Sequence, residues 1–278
     1  MTLRDDFDRV SRSQPCPICR RPDWCMVSKA RPGDPEAALC QRVESPDRWG
    51  DAGWFHRLRD GDQAWRRSIG TTLEEAPEDH RREAERLARG ADLAGVADSL
   101  GLPIRVLERL LVGVGEDRFG AFSSWPQVDP ENRVVGISLR RPDGAKRLRR
   151  GDRAGLHVPT DLPDDLAGER VLVVEGGSDC AAGLALGRWT IGRPSVLARF
   201  REIRRLLTRR RPGLVSVVAD RDEHEAGIRG ARQLARCLES VAPDVLVVEP
   251  PAGIKDLRSW LHRGLEEREL RRVEEASR

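Results

Sequence analysis

Length, composition and charge limit the class of protein before any motif is considered. The chain has 278 residues, enough for one large or two modest domains. Apolar residues make up 38% of it, so a buried core is available, and the 49 Lys and Arg nearly balance the 46 Asp and Glu, leaving a net charge of +3. No apolar run is long enough for a transmembrane helix, and the N-terminus lacks the apolar segment of a secretory signal. We therefore expect a soluble cytoplasmic protein.

Residues 1–60 contain four of the six cysteines, Cys16, Cys19, Cys25 and Cys40, and we expect this segment to be a separate zinc-binding module. Cys16-Pro-Ile-Cys19 has the C-x₂-C spacing of a zinc knuckle, and cysteines of cytoplasmic proteins bind metal more often than they form structural disulfides. Four thiolates would make a closed tetrahedral site. Two alternatives stay open: His56 could replace Cys25 as a ligand, or the thiols could be unliganded in a tryptophan-rich core.

Residues 61–112 are predicted to form a helical linker. EDHRREAERLARG is typical of a charged helix, and ADLAGVADSLGLPIRVLERLLVG predicts two short amphipathic helices around Gly101-Leu102-Pro103. The pair could read DNA as a helix-turn-helix motif. A hairpin that packs on the next domain is favoured instead, because no basic recognition face follows the turn.

Two further domains are predicted after the linker. In residues 113–165, the short strands RVVGISLRR and AKRLRR flank the turn Pro142-Asp143-Gly144 and indicate a small strand-rich subdomain. Residues 166–263 alternate apolar strands (171–175, 215–220 and 244–249) with helices (about 179–186, 197–210 and 225–239). This alternation predicts an α/β domain whose parallel sheet is covered on both faces. Residues 264–278 are predicted to form a C-terminal helix.

Acidic residues end the strands of this predicted sheet. Glu175 ends the first strand, while Asp220 ends the second and is followed two residues later by Asp222. Neighbouring parallel strands bring their carboxyl ends to one edge, so the three carboxylates would share one crevice and repel unless a cation neutralises them. Oxygen ligands of this kind suit Mg²⁺. The alternative is structural, with the aspartates capping a helix and Glu175 in a salt bridge.

The segments VLVVEGGSDCAAGLALG and VSVVADRDEHEAGIRGARQLA together resemble the Toprim domain of bacterial-type primases, topoisomerases and some nucleases. The resemblance implies that Glu175 is an acid/base or metal-organising residue and that Asp220 and Asp222 hold Mg²⁺. PPAGIKDLRSWL resembles the end of primase Toprim domains, which places Lys255 near the site. One departure is that Glu223-His224-Glu225 separates the Asp-x-Asp pair from Ala226-Gly227, two residues more than is usual in primases.

The N-terminal half extends the resemblance to bacterial and phage DNA primases. PCPICRRPDWCMVS is similar to the zinc modules that precede primase cores, and RVVGISLRRPDGAKRLRRGDRAGLHVP resembles their basic subdomain. The resemblance implies a function in DNA replication. The protein would use Mg²⁺ to synthesise primers from nucleoside triphosphates on single-stranded DNA. We expect a nucleic-acid and nucleotide surface at Arg140, Lys146, Arg149 and Lys255. A second arginine cluster lies over residues 199–211. A solvated face and a nucleic-acid surface are equally favoured interpretations of it.

Two other functions stay open. The same metal site could serve a Toprim-type nuclease, whereas the tyrosine mechanism of topoisomerases is excluded because the chain has no tyrosine. The extra residues after Asp222 would suit a non-catalytic nucleic-acid-binding accessory protein. No P-loop motif occurs, so a primase of this kind would depend on a separate replicative helicase as its partner.

Overall fold

A computed structural model describes residues 7–28, 35–45, 47–48, 53–58, 77–149, 152–195, 198–222 and 225–277. The chain divides into two compact units, Met1–Glu74 and Glu75–Arg278. Among the described residues, no helix combines the length and apolarity needed to cross a membrane.

The first unit is built on a small antiparallel sheet. Its strands are too short to form a large core, and alternation along β3 (Ala37–Cys40) divides the apolar side chains between the two faces. Ala38 and Cys40 pack with the other cysteines, whereas Leu39 packs on the opposite face with Phe7 and Phe55. The sheet order is β1-β2-β3-β5-β4, with β1 Phe7–Arg9, β2 Met26–Ser28, β4 Asp47–Arg48 and β5 Trp54–Arg57.

The second unit begins with helices and an antiparallel sheet. Ala84 of α1 packs against Ile137 and Leu139, so this charged helix covers one face of that sheet. The sheet is a meander, β6-β7-β8-β9, with strands Gly113–Asp117, Gly120–Val128, Val134–Arg140 and Lys146–Leu148. The helices are α1 Pro77–Ala88, α2 Ala94–Leu100 and α3 Ile104–Arg109.

A four-stranded parallel sheet follows, as the alternating sequence pattern predicts. The strands are β10 Arg170–Glu175, β11 Trp189–Arg193, β12 Leu214–Val218 and β13 Asp244–Val248, in the order β11-β10-β12-β13. The helices are α4 Gly176–Ala185, α5 Phe200–Arg210, α6 Ala226–Leu238, α7 Leu257–His262 and α8 Glu267–Ala276.

Both faces of the parallel sheet are covered. α5 and α6 pack on the face that carries Val173 and Val217. α4, α7 and α8 cover the face that carries Leu172 and Val174, and α2 and α3 pack there too through buried residues such as Leu107. The predicted α/β class is confirmed, and the short helix pair packs as a hairpin on this domain.

Candidate active site and metal centre

The four N-terminal cysteines form one cluster, with their sulfur atoms within 4.8 Å of one another. Cys25 Sγ lies 3.6 Å from Cys19 Sγ and 3.9 Å from Cys40 Sγ. Tetrahedral zinc with bonds of about 2.3 Å separates its sulfur ligands by about 3.8 Å. The donor set and its spacing therefore fit a structural zinc site.

Hydrogen-bond donors surround these sulfur atoms. The backbone N–H groups of Arg42 and Val43 donate to Cys40 Sγ at 3.4 and 3.3 Å. Burial alone would raise the pKa of the Cys19 thiol, but the backbone N–H of Arg21 and the neighbouring side chains outweigh it and lower that pKa to about 7. These donors favour the thiolate of Cys19, the form that binds metal, whereas burial raises the pKa of the Cys16 and Cys25 thiols.

His56 does not belong to this cluster. Its Nε2 lies 3.0 Å from the carbonyl oxygen of Val43, to which it donates a hydrogen bond. The structure thus brings together the set that contains Cys25, and the alternative set with His56 in place of Cys25 is not formed.

The acidic residues lie at the carboxyl edge of the parallel sheet. Burial, together with the negative charges of Asp179 and Glu175, raises the pKa of the Asp220 carboxyl to about 8. Burial also raises the pKa of Glu175, where the charge of Asp222 adds to the effect of burial. These carboxylates therefore share one electrostatic environment, and their ionised forms repel one another unless a cation is present.

Asp222 has a second role in the structure. Its Oδ1 accepts a hydrogen bond from the Ala226 backbone N–H and its Oδ2 one from that of Gly227, both at 2.8 Å, at the start of α6. The helix-capping alternative is therefore present in the structure. The two capping hydrogen bonds leave the Asp222 carboxylate able to bind a cation as well, because each oxygen has more than one lone pair. Of the inserted segment, residues 223 and 224 lie outside the described residues.

The most direct structural indication of a cation site is at the Glu175 carboxylate. Its Oε2 is buried and accepts no hydrogen bond from the described residues. A buried carboxylate oxygen without a partner is costly, and a metal ion or a metal-bound water would satisfy it.

The carboxylates are less tightly grouped than the cysteines. Within the described ranges, the cysteine cluster is the only group of three or more potential ligands close enough together to share one metal ion. Mg²⁺ usually takes one or two protein carboxylates and completes its octahedron with water and phosphate oxygens. The acidic edge fits an ion held in that way.

Basic side chains face this edge from the antiparallel sheet. Arg140 and Lys146 are paired residues on β8 and β9. Burial lowers the pKa of both, and the negative charge of Asp179 opposes that effect in each case. The positive charge of Lys255 acts on the carboxyls of Asp220 and Glu175, so it too lies at the edge.

Arg149, the fourth predicted basic residue, points elsewhere. Its Nε lies 3.2 Å from Asp152 Oδ1, and its Nη1 lies 3.9 Å from Glu83 on α1. The structure therefore separates Arg149 from Arg140 and Lys146, in keeping with the alternation of side chains along a strand.

A cavity of about 240 Å³ lies between the antiparallel sheet and the start of α4. Trp125 and His157 form part of its wall, with Arg140 and Lys146 on one side and Gly176-Gly177 on the other. A Cβ at Gly177 would overlap the Trp125 ring, so glycine permits this close approach. Burial lowers the pKa of His157 to about 4, so this imidazole is neutral at physiological pH.

Sequence reasoning missed Arg193, the last residue of β11. It is the register partner of Glu175 and is only 1% exposed. Burial lowers its pKa, while the charges of Glu175 and Asp220 oppose that change. The sequence pattern did not predict the five-residue strand β11. Had it done so, a basic residue at the end of that strand would have indicated a positive charge beside the Glu-Gly turn.

No family model matches the chain, and a search of curated protein sequences finds no match either. Solved structures do match. The DnaG catalytic core has a TM-score of 0.56 at 15% identity, over 72% of this chain and 79% of that one. The zinc-binding and RNA polymerase domains of the Aquifex aeolicus primase have a TM-score of 0.56 at 15% identity, over 95% and 78%. A DnaG primase catalytic domain bound to single-stranded DNA has a TM-score of 0.51 at 14% identity, over 72% and 80%.

At these identities the comparisons concern the fold. The match to the Aquifex aeolicus protein extends over nearly the whole chain, including the unit that holds the four cysteines. The chain is therefore similar in fold to bacterial primase catalytic cores, and this similarity extends to the N-terminal unit that holds the four cysteines.

Proposed function

We propose that the protein is a primase that joins nucleotides into a primer on single-stranded DNA, using Mg²⁺ at the acidic edge and zinc in the cysteine cluster. The observation that carries the proposal is the arrangement of the cavity. Arg140 and Lys146 line it from the antiparallel sheet, and Gly176, which follows Glu175, lines it on the other side. The positive charge of Lys146 acts on the Glu175 carboxyl, so the acidic edge lies within electrostatic reach of the cavity. A nucleoside triphosphate needs both kinds of group, a cation site for its phosphates and fixed positive charge beside it.

The residues have distinct parts in this proposal. Asp220, Asp222 and Glu175 would hold Mg²⁺, which neutralises charge on the transferring phosphate. Arg140 and Lys146 would bind the triphosphate oxygens and orient the α-phosphorus. The 3′-oxygen of the growing strand attacks that phosphorus, the bond to the pyrophosphate breaks, and the proton of the hydroxyl passes to the Glu175 carboxylate.

Purified full-length protein tests the proposal with single-stranded DNA, nucleoside triphosphates and Mg²⁺. We expect short primers from the wild type and a loss of at least about 100-fold in Glu175→Ala and Asp222→Asn, the range of a missing general base or charge-stabilising group. Asp98→Asn is the matched control, because Asp98 is exposed on α2. No product from the wild type would refute the proposal.

The alternatives give different outcomes in the same assay. Cleavage of a labelled strand without nucleotides, abolished by Glu175→Ala, would identify a nuclease. DNA binding without either reaction, unchanged in both variants, would identify a non-catalytic accessory protein.

A further inference from the structure

An exposed phenylalanine lies at the tip of the hairpin that joins β6 and β7. Phe119 is 60% exposed, and it is one of four exposed large apolar side chains among the described residues. The tip is held in place, because Asp117 Oδ1 accepts a hydrogen bond from the Phe119 backbone N–H at 2.8 Å. A ring in this position contributes little to the core.

Three arginines surround this ring. The guanidinium carbons of Arg118, Arg147 and Arg141 lie 4.7, 5.1 and 6.0 Å from its centroid. Arg141 and Arg147 each donate to a different oxygen of Asp117, at 2.6 and 2.7 Å. Arg118 is exposed and forms no ion pair with a described residue. The tip thus combines an exposed aromatic ring with an excess of positive charge.

The tip adjoins the candidate active site. Arg147, which contacts the Phe119 ring, also lines the cavity that contains Arg140 and Lys146. The strand pairing explains this position, because Ser123 near the start of β7 pairs with Arg140 at the end of β8. The β6–β7 turn at Phe119 and the β8–β9 turn after Arg140 therefore lie at the same end of the antiparallel sheet.

We infer that Phe119, with Arg118 and Arg147, binds one unpaired base and its phosphate in single-stranded DNA at the rim of the cavity. This deepens the proposed function, on which it rests for the identity of that strand as the template. Proteins hold single strands by stacking bases on aromatic rings beside a basic groove. A phenylalanine ring has no polar group that reads a base edge, so the contact tolerates any base.

Fluorescence anisotropy with a labelled oligo-dT strand tests the contact. We expect Phe119→Ala to bind roughly 5- to 100-fold more weakly than the wild type, the effect of losing one stacked base. Phe119→Trp restores the affinity because it keeps an aromatic face. Ile104→Ala is the matched control, since Ile104 is also an exposed apolar side chain but lies on α3.

A strand of abasic sites separates stacking from attraction to phosphates. The affinity difference between wild type and Phe119→Ala should vanish on that strand, while Arg118→Gln should lower the salt slope on both strands by about 0.7. Thermal unfolding checks that the variants fold. Equal oligo-dT affinity in Phe119→Ala and Ile104→Ala, or an unchanged difference on the abasic strand, would overturn the inference.

The failure of the proposed function is distinguishable from the failure of this inference. If oligo-dT binding depends on Phe119 but no primer is made, the proposed function fails and the inference about Phe119 stands. If primers are made and the KM for template is unchanged in Phe119→Ala, the inference about Phe119 fails and the proposed function stands.

Discussion

Glu175 and Arg193 are paired residues at the carboxyl ends of two neighbouring parallel strands, and Arg193 is almost completely buried there. Its positive charge opposes the effect of burial on the Glu175 carboxyl, whose pKa is nevertheless raised. The charges of Glu175 and Asp220 act in turn on Arg193. The chain thus carries a cation of its own beside the carboxylates to which we assign Mg²⁺.

Replacing Arg193 by methionine should make the protein more dependent on Mg²⁺ for stability. The Glu175 carboxyl then loses the neighbouring positive charge that opposes the effect of burial, and we expect a loss of about 1–3 kcal/mol of unfolding free energy. Mg²⁺ can offset part of that loss, so adding it should raise the melting temperature of Arg193→Met more than that of the wild type. Thermal unfolding in EDTA and in Mg²⁺ measures both effects.

Arg210→Met is the control for this experiment. Arg210 is also a buried arginine, but its Nε donates to the carbonyl oxygen of Pro163 at 3.1 Å. It should lose stability equally with and without Mg²⁺. The same Mg²⁺ shift in the wild type and both variants would contradict the role given to Arg193.

The cysteine cluster predicts which substitutions release zinc. Cys25→Ser removes a buried thiolate ligand and should strongly reduce bound zinc, whereas His56→Ala should retain it because His56 lies outside the cluster. Mass spectrometry of metal content after dialysis measures the difference. Cys237→Ser serves as the control, since Cys237 is an exposed thiol of the other unit. Zinc loss in His56→Ala with retention in Cys25→Ser would reverse the assignment.

The sequence predicts most of the acidic edge because strand termini are easy to recognise there. Long apolar runs ending in Glu175 and Asp220 determine both the fold class and the edge at which the acids meet. β11 escaped prediction because its five residues include Gly192 and follow closely on a helix. With that strand the buried Arg193 escaped as well.

Other features depend on contacts that no local pattern contains. β6 and β7 carry many small and polar residues, so their alternation is weak and Phe119 gave no signal of a hairpin tip. Strand alternation indicates that Arg149 and Lys146 point to different faces, but the partner of Arg149, Asp152, is known only from the structure.

Gly227 should be indispensable at the Asp-x-Asp turn. A Cβ at this position would overlap the backbone carbonyl of Asp220, so alanine must displace the turn that positions Asp220 and Asp222. We expect Gly227→Ala to lose more than about 1 kcal/mol of unfolding free energy and most of any Mg²⁺-dependent activity.

Gly95→Ala provides the comparison for that substitution. Gly95 lies in α2, and a Cβ there meets nothing within 4 Å. Alanine should be neutral or stabilising by up to about 1 kcal/mol, because it reduces the entropy of the unfolded chain. Urea unfolding of both variants tests the contrast, and equal losses would refute the explanation based on the Asp220 carbonyl.

The last prediction concerns Glu274, a completely buried carboxylate on α8. It accepts hydrogen bonds from Arg188 Nη2 at 2.8 Å and Ser216 Oγ at 2.6 Å, and Arg170 Nη1 donates to its other oxygen at 2.8 Å. Burial would raise the pKa of Glu274, but these donors outweigh it and hold that pKa below its ordinary value of 4.5. The network fastens the C-terminal helix to the parallel sheet.

Glu274→Gln takes from the buried Arg188 the closer of its two carboxylate partners, leaving Glu267 at 3.5 Å. It should cost about 2 kcal/mol of unfolding free energy at pH 7, against less than about 0.5 kcal/mol for the exposed Glu275→Gln. Because the folded pKa is the lower one, the carboxylate's contribution is fully present above about pH 4.5 and is lost as the pH falls through the folded value. The stability difference between wild type and Glu274→Gln, measured by urea unfolding, should therefore shrink from pH 7 towards pH 3. A difference that stays constant over that range would mean that the ion pair contributes nothing and that only packing is lost.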